Sequence, residues 1–367
     1  MKKKYLTRSL VVAFVMLGLS SCKKDKAEET IEPYTVPDSY NFTGANYASS
    51  TARVNMMLEL DTYLKSATTV NLDATKATNL FNNTNSPFTN AALNTSGLKL
   101  SEKTADATQF KGYIDIVVAA SQLNTVVATK GNLGYIARGT GKIIVGIDGV
   151  EYGQAALKGM MGSLFFKQAM DLLSGISADG TIALQQQHWD EAFGYLAIPT
   201  DYTPDKDYTV APLNALVYPN KPALWGGYLA ERGKNIDAGK IIWEAFRKGR
   251  AAIAAKDIKV RDQAITDIQN IWEKLSANAA YIYMGMPQLS ANVGNLGTQF
   301  HAMSEGFGFI ATLKYRVKAK SKLSDADFNI MWNIISGTDA YTLVNEPGFT
   351  KLKQVTAILK ATYNLPD

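Results

Sequence analysis

The sequence has few of the side chains that build disulfides and most metal centres. It contains one cysteine and two histidines among 367 residues. A single cysteine cannot form an intramolecular disulfide, and cysteine-rich zinc and iron–sulfur sites are excluded as well. Any chemistry that depends on histidine must therefore use His188, His301 or both.

The sequence also has little excess charge of either sign. Lysine and arginine number 38, and aspartate and glutamate number 33. Four of the basic residues, Lys2, Lys3, Lys4 and Arg8, lie in an N-terminal segment without acidic residues, and outside it 34 basic residues face 33 acidic ones. A nucleic-acid partner lacks an electrostatic basis in such a chain, and none is expected.

The apolar run near the N-terminus is too short to span a membrane. It covers residues 9–19, about 11 residues, whereas roughly 20 are needed to cross the hydrocarbon core. A basic segment precedes it, which is typical of an export signal. The string Leu19-Ser20-Ser21-Cys22 then resembles the lipobox of bacterial lipoproteins, in which the cysteine is acylated and becomes the mature N-terminus. The alternative is an ordinary secretory signal.

The lipobox resemblance implies an anchored protein. Residues 1–21 would be a lipoprotein signal peptide, and Cys22 would be the lipid attachment site through which the membrane becomes a partner. Acyl chains contribute ~0.8 kcal/mol per buried methylene, so several of them hold a domain at a membrane without a spanning helix. We expect an outer-membrane lipoprotein of the cell envelope, periplasmic or surface-exposed. Residues 22–40, charged and then proline-containing, are expected to form a tether.

Apolar residues after residue 40 recur at helical spacing, and no long stretch alternates as a strand does. The clearest stripe is Ile265, Ile268, Trp272, Leu275, Ala279, Ile282 and Met286. Further helices are predicted at residues 47–64, 107–123, 152–174, 237–255, 325–335 and 350–363. The pattern predicts an all-α fold of antiparallel helical bundles over residues 41–367, with a short hairpin or buried turn at residues 139–149.

An irregular segment interrupts the helical pattern near the middle of the chain. Residues 200–222 are rich in proline and aspartate and divide the chain into halves of about 41–215 and 216–367. The halves are expected either to belong to one large domain or to form two fused bundles.

The two histidines lie in similar strings. One is Gln186-Gln187-His188-Trp189-Asp190-Glu191-Ala192-Phe193-Gly194-Tyr195, and the other is Gln299-Phe300-His301-Ala302-Met303-Ser304-Glu305-Gly306-Phe307-Gly308-Phe309. Each has glutamine two positions before histidine and glutamate one helical turn after it. A small residue, phenylalanine, glycine and an aromatic residue follow. The similarity predicts an internal repeat with two pseudo-symmetric halves.

Histidine and glutamate three or four positions apart share one helix face, with Cβ atoms about 5 to 6 Å apart. Imidazole nitrogen and carboxylate oxygen suit an iron or zinc ion, and bundle helices hold iron in this way. The strings therefore predict a metal site of His188, Glu191, His301 and Glu305. Asp190 lies about 200° around the helix from His188 and is left out. The glycines that follow are expected to mark a last turn or a close backbone approach. The alternative is that both His–Glu pairs are purely structural.

A second metal arrangement uses three of these residues. His188, Glu191 and the distant His301 follow the zinc ligand order of metallocarboxypeptidases, which leaves a fourth position open for water. That fold needs strands that the sequence does not predict. The HExxH motif is also absent.

The histidine strings, the lipobox and the helical pattern together resemble the imelysin-like lipoproteins. The string from His188 to Tyr195 is most similar to a Bacteroidetes branch of unknown function, and residues 152–168 and 245–250 are further similar segments. The family motif is Gly-x-His-x-x-Glu; Gln186 stands at its glycine, and the second copy has Gln299 there and four residues to Glu305. The resemblance implies two helical bundles, an envelope location and an association with iron uptake.

These observations lead to an expectation for function. We expect a lipid-anchored binding protein that holds a metal ion, iron above all, or an iron-bearing ligand for uptake without turnover. Other envelope uptake proteins would then be its partners. The alternatives are a zinc metallopeptidase-type hydrolase, in which Glu191 is a ligand or polarises water, and a metal-free adhesion or glycan-handling lipoprotein.

Overall fold

Residues 31–366 are described by a computed structural model and fold mainly into helices. The helices are α1 Ala48–Lys65, α2 Ala74–Asn82, α3 Ala91–Asn94, α4 Leu100–Lys103, α5 Ala107–Ser121, α6 Tyr152–Met160, α7 Lys167–Gly175, α8 Ile182–Leu196, α9 Trp225–Glu231, α10 Ala238–Ala255, α11 Ile258–Gly285, α12 Leu296–Thr312, α13 Asp325–Gly337, α14 Ala340–Asn345 and α15 Thr350–Tyr363. The all-α prediction is confirmed. None of the helices formed by residues 31–366 has the length and apolar character needed to cross a membrane.

Side-chain caps fix the start of the two helices that carry histidine. Thr181 accepts a hydrogen bond from the backbone N–H of Leu184 at the start of α8. Asn295 does the same for Thr298 at the start of α12. Such caps satisfy backbone donors that have no partner within the helix. Both histidines therefore lie inside well-defined helices.

One continuous hydrophobic core joins the two predicted halves. The long helix α11 packs against α10, α12 and α15, while α12 packs against α6 and α8 packs against α10. Since α6 and α8 precede residue 215 and α10 to α12 follow it, the halves share their core. The predicted interruption at residues 200–222 is confirmed, because only the 3-10 turn Leu213–Ala215 is regular there.

Glycines bring α6 and α12 into close contact. A Cβ atom on Gly308 would lie 2.4 Å from Cβ of Lys158 and 2.8 Å from the backbone nitrogen of Gly159. A Cβ atom on Gly162, just after the end of α6, would lie 2.2 Å from Oγ1 of Thr312. These positions leave no room for a larger side chain. The glycines of α12 therefore allow a close backbone approach, which is one of the two predicted roles. The other prediction, that they mark the last turn, is wrong for α12, because the helix continues to Thr312.

A wider turn interrupts the helix predicted at residues 152–174. Helices α6 and α7 are joined by the π-helical segment Met161–Phe166. The indole Nε1 of Trp225 donates a hydrogen bond of 2.6 Å to the carbonyl oxygen of Met161. A π-helical turn shifts the backbone hydrogen bonds by one residue. Trp225 thus satisfies a carbonyl group within this turn.

The predicted hairpin is present but begins earlier in the chain. Strands β1 Gly134–Arg138 and β2 Gly141–Val145 pair in antiparallel register, with Gly134 opposite Val145 and Arg138 opposite Gly141. The hairpin lies against the first turn of α12, where a Cβ atom on Gly297 would lie 2.1 Å from the carbonyl oxygen of Ala137.

Residues 31–40, the described part of the predicted tether, include residues that contact the domain. Tyr40 is 1% exposed, and its ring stacks on Phe193 with centroids 3.6 Å apart. The backbone N–H of Glu32 donates to the carbonyl oxygen of Ala255. Burial of an aromatic ring holds this part of the chain on the domain. Residues 1–30, which include the predicted signal peptide and the predicted lipid attachment site Cys22, lie outside the described residues.

Candidate functional site

The first histidine string supplies two separate polar contacts on α8. His188 Nδ1 lies 2.8 Å from Oδ2 of Asp179, which precedes the helix. Glu191 accepts a hydrogen bond of 3.1 Å from the hydroxyl of Tyr195 on its own helix. His188 and Glu191 are one turn apart, as expected, but each has a partner of its own.

Asp190, between them in sequence, lies on the opposite side of α8 and is buried. Its carboxylate accepts hydrogen bonds from Arg250 Nε at 2.8 Å and from the Tyr40 hydroxyl at 2.8 Å. The backbone N–H of Asn46 donates to the second carboxylate oxygen at 3.1 Å. The prediction that Asp190 stays apart from His188 is confirmed.

The second histidine belongs to a largely buried group that we call the His301 cluster: Glu151, Lys158, Tyr228, His301 and Glu305. His301 Nδ1 lies 2.7 Å from Oε2 of Glu151, and Nε2 lies 3.3 Å from Oε1 of Glu305. Lys158 Nζ is 3.9 Å from Oε1 of Glu305, and the Tyr228 hydroxyl donates to Oε2 at 3.1 Å. The cluster connects the start of α6 with α9 and α12.

Opposite charges set the protonation states of the cluster. Burial alone would lower the pKa of His301, but hydrogen bonds to Glu151 and Glu305 outweigh burial and raise it to about 9. Burial would raise the pKa of Glu305, but the hydrogen bond to His301 and the charge of Lys158 lower it to about 2. At neutral pH an imidazolium therefore lies between two carboxylates.

Two tyrosines complete the surroundings of Glu305. Burial, together with the negative charge of Glu305, raises the pKa of the Tyr228 and Tyr283 hydroxyls, so both stay neutral. Arg232 Nη2 donates to the Tyr283 hydroxyl at 3.1 Å and lies over the ring of Tyr283. Such a network supplies hydrogen bonds to a buried carboxylate.

The two possible oxygen ligands beside His301 lie on different sides of its ring. A protonated imidazole offers no lone pair, and the two ring nitrogens of His301 face different carboxylates. A metal on one nitrogen would thus meet one of these carboxylates, with the other accepting from the second nitrogen. Within residues 31–366, no group of three or more His, Cys, Asp or Glu side chains is arranged to hold a metal ion. The shared centre of His188, Glu191, His301 and Glu305 stays a prediction.

Sequence reasoning brought His301 and Glu305 together but missed their other partners. Glu151 lies 150 positions before His301, and Lys158 follows two helical turns after Glu151. No local spacing rule connects residues so far apart in sequence. A carboxylate directly before a helix, with lysine on the same helix, was the only available signal.

A second feature of the α6–α12 pair is a cavity of about 210 Å³ that we call the aromatic pocket. It lies where α5, α6, α12 and α13 meet, beside the 3-10 turn Leu313–Tyr315. Its aromatic lining residues are Phe110, Tyr113, Phe307, Tyr315, Phe328 and Trp332. Tyr113, Phe307, Tyr315 and Trp332 are partly exposed, so they offer ring surface to a ligand.

Polar side chains border the aromatic pocket. Asp106, Gln109 and Lys314 are exposed and line its edge. Lys314 Nζ lies 2.5 Å from Oδ2 of Asp106, and the Tyr315 hydroxyl donates to the same oxygen at 2.8 Å. The hydrogen bond from Lys314, and then that from Tyr315, lowers the pKa of Asp106. Apolar walls with a few polar groups are typical of small-molecule sites.

Together these features define an all-helical protein with a neutralised ion-pair cluster and an adjoining aromatic pocket on one helix pair. The chain belongs to the family described as Domain of unknown function (DUF4856), whose model matches residues 37–176 and 182–357. The two matched stretches meet just before α8. No curated protein and no solved structure matches the chain.

Proposed function

We propose that the protein is a lipid-anchored binding protein of the cell envelope that takes its ligand in the aromatic pocket without chemical turnover. The observation that carries the proposal is the pocket itself, a formed cavity with partly exposed aromatic rings and a polar edge. Pockets of this composition are typical binding sites. The anchor rests on Cys22 in its lipobox-like string, and the envelope location follows from it.

The state of the titratable groups supports binding over catalysis. His301 is protonated at neutral pH and Glu305 is ionised, each engaged by an opposite charge. General acid–base catalysis needs a group whose pKa lies near the working pH. The hydrolase alternative also needs His188 and Glu191 to act on one metal or water, whereas Asp179 and Tyr195 engage them separately.

The imelysin-like resemblance and the expected iron cargo form a second candidate function. The contact between His301 and Glu305 is the observation that favours it, with Glu151 as a further oxygen donor. Binding there would require loss of the imidazolium proton. Glu151 and Glu305 lie on different sides of the imidazole ring of His301. For this reason our leading proposal places the ligand in the aromatic pocket and not at His301.

Metal analysis separates these candidates. We expect full-length protein purified without a His tag to contain almost no iron or zinc after reconstitution with these metals. Its metal content should equal that of a His188→Ala/His301→Ala double variant. Occupancy near one ion per chain, lost in the double variant, would instead establish the metal cargo and overturn the pocket as the principal site. Circular dichroism of both proteins controls for folding.

Acylation is tested on the full chain in a bacterial host that processes lipoproteins. We expect the protein to incorporate a labelled fatty acid and to sediment with membranes, and we expect Cys22→Ala to lose both properties. Cys22→Ala protein that still sediments with membranes to the same extent would contradict the anchor. Ser21→Ala, a neighbouring substitution with a small side chain, is the matched control and should leave acylation in place.

A further inference from the structure

We infer that the aromatic pocket binds one pyranose ring of an uncharged sugar. The ring's C–H face would lie against Trp332 and Phe307, and its hydroxyls would contact Asp106, Gln109 and Lys314. This inference names the ligand class of the pocket and rests on the proposed function.

The aromatic walls provide the first argument. The rings of Phe307 and Trp332 have centroids 5.3 Å apart at an angle of 40°, and Phe328 stacks on Trp332 at 6.2 Å and 10°. Phe328 is 9% exposed and supports Trp332, which remains partly exposed in the pocket. Aromatic faces carry partial negative charge and attract the weakly positive C–H groups of a sugar ring.

The polar edge provides the second argument. The pair of Asp106 and Lys314 has no net charge, so it gives no advantage to a ligand of either sign. Both hydrogen bonds to the Asp106 carboxylate fall on Oδ2, and Gln109 Nε2 donates to the Tyr113 hydroxyl at 2.6 Å. Oδ1 of Asp106 and Oε1 of Gln109 thus remain as acceptors, and the ammonium group of Lys314 lies beside them as a donor. Hydroxyl groups both donate and accept, and match such a mixed edge.

The size of the pocket provides the third argument. Its volume of about 210 Å³ is below the roughly 300 to 1,000 Å³ of drug-sized sites. A single ring therefore suits it better than an extended chain. Ala155 and Ala311 line the pocket with small side chains, and Gly159 lets the ring of Phe110 approach its backbone. A Cβ atom on Gly159 would lie 2.5 Å from Cε1 of Phe110, so this wall cannot accept even a methyl group without movement.

Binding is measured on the full acylated chain, in a detergent without a sugar head group, by saturation-transfer NMR and calorimetry. The probes are neutral methyl pyranosides, namely the glucoside, galactoside, mannoside and N-acetylglucosaminide. Methyl glucuronide, glucosamine, nucleosides and free amino acids form the comparison set. We expect at least one neutral pyranoside to bind saturably in the millimolar range or below, and the charged sugars to bind more weakly.

Variants locate the binding site. Trp332→Ala should weaken binding by at least about tenfold, since stacking on an aromatic ring is lost. Ala311→Leu should abolish binding by filling the pocket, whereas Ala119→Leu, exposed on α5, is the matched control and should leave it unchanged. If Trp332→Ala fails to fold, Gln109→Ala tests the site in its place. Gln109 is exposed, and its side chain is one of the proposed contacts to the sugar hydroxyls. Pyranoside binding that persists in Ala311→Leu would overturn the inference.

The outcomes also separate this inference from the proposed function. If only a nucleoside, an amino acid or a charged sugar binds, and Ala311→Leu abolishes that binding, the sugar inference is wrong and the binding function stands. If no probe of any class binds to the folded wild-type protein, both are overturned.

Discussion

Replacing Asp190 by alanine is expected to lower the free energy of unfolding by about 3 to 5 kcal/mol. The side chains of Asp190 and Arg250 are 1% and 3% exposed, and Nε of Arg250 lies 2.8 Å from the carboxylate. Removing the carboxylate leaves a buried guanidinium without its charged partner, and the Tyr40 hydroxyl loses its acceptor. Denaturant unfolding followed by circular dichroism measures the change.

Two further variants provide controls for the Asp190 prediction. Asp115→Ala removes an exposed carboxylate that pairs with Lys111 one turn away, and should cost at most about 1 kcal/mol. An Asp190→Ala/Arg250→Met double variant should recover part of the loss, because the unpaired charge is gone. A loss below about 1 kcal/mol for Asp190→Ala alone would show that the buried pair contributes little to the fold.

Raising the pH from 6.5 to 9 is expected to remove about 3 kcal/mol of stability that depends on His301. The pKa of His301 is raised in the folded protein, so its contribution is complete below 6.5 and is lost as the pH rises through about 9. The lowered pKa of Glu305 reports the same ion pair, and its contribution is lost as the pH falls from 4.5 through about 2. The cluster therefore stabilises the fold most between these two ranges.

The measurement is a series of denaturant unfolding curves recorded between pH 6 and pH 9. His301→Gln should be less stable than the wild type at pH 6 and should show a much flatter dependence on pH. His188→Gln provides the matched control, because His188 contacts one carboxylate in place of two and is 29% exposed. We expect it to keep the wild-type slope. Equal slopes in the wild type and His301→Gln would contradict the proposed protonation of His301.

Apolar periodicity predicted most of the fold because long helices bury one continuous face. The stripe from Ile265 to Met286 lies in α11, which packs along its length on α10, α12 and α15. The same reasoning missed the π-helical turn Met161–Phe166, since all six of its residues are buried and no face distinguishes them. The position at which the backbone hydrogen bonds of a helix change register depends on a partner such as Trp225, which is distant in sequence.

The candidate site was predictable only where it is local. His301 and Glu305 are four residues apart on one helix, and their contact follows from helical geometry. The likeness of the two strings did not carry over to their surroundings. His188 contacts Asp179, which lies shortly before the same helix, whereas His301 contacts Glu151, which directly precedes α6. Partners of this kind are chosen by tertiary packing, which the sequence pattern does not contain.

The wide turn at Met161–Phe166 also constrains the length of the polypeptide. It accommodates one more residue than an α-helical turn does, so α7 is rotated by about 100° relative to an uninterrupted continuation of α6. If the segment wound as a regular α-helix with its present number of residues, Ala169, Met170 and Leu173 would be turned by about 100° away from the neighbours they now bury against, whereas deletion of one residue would let regular winding keep them in place. In this stretch the number of residues matters as much as their identity.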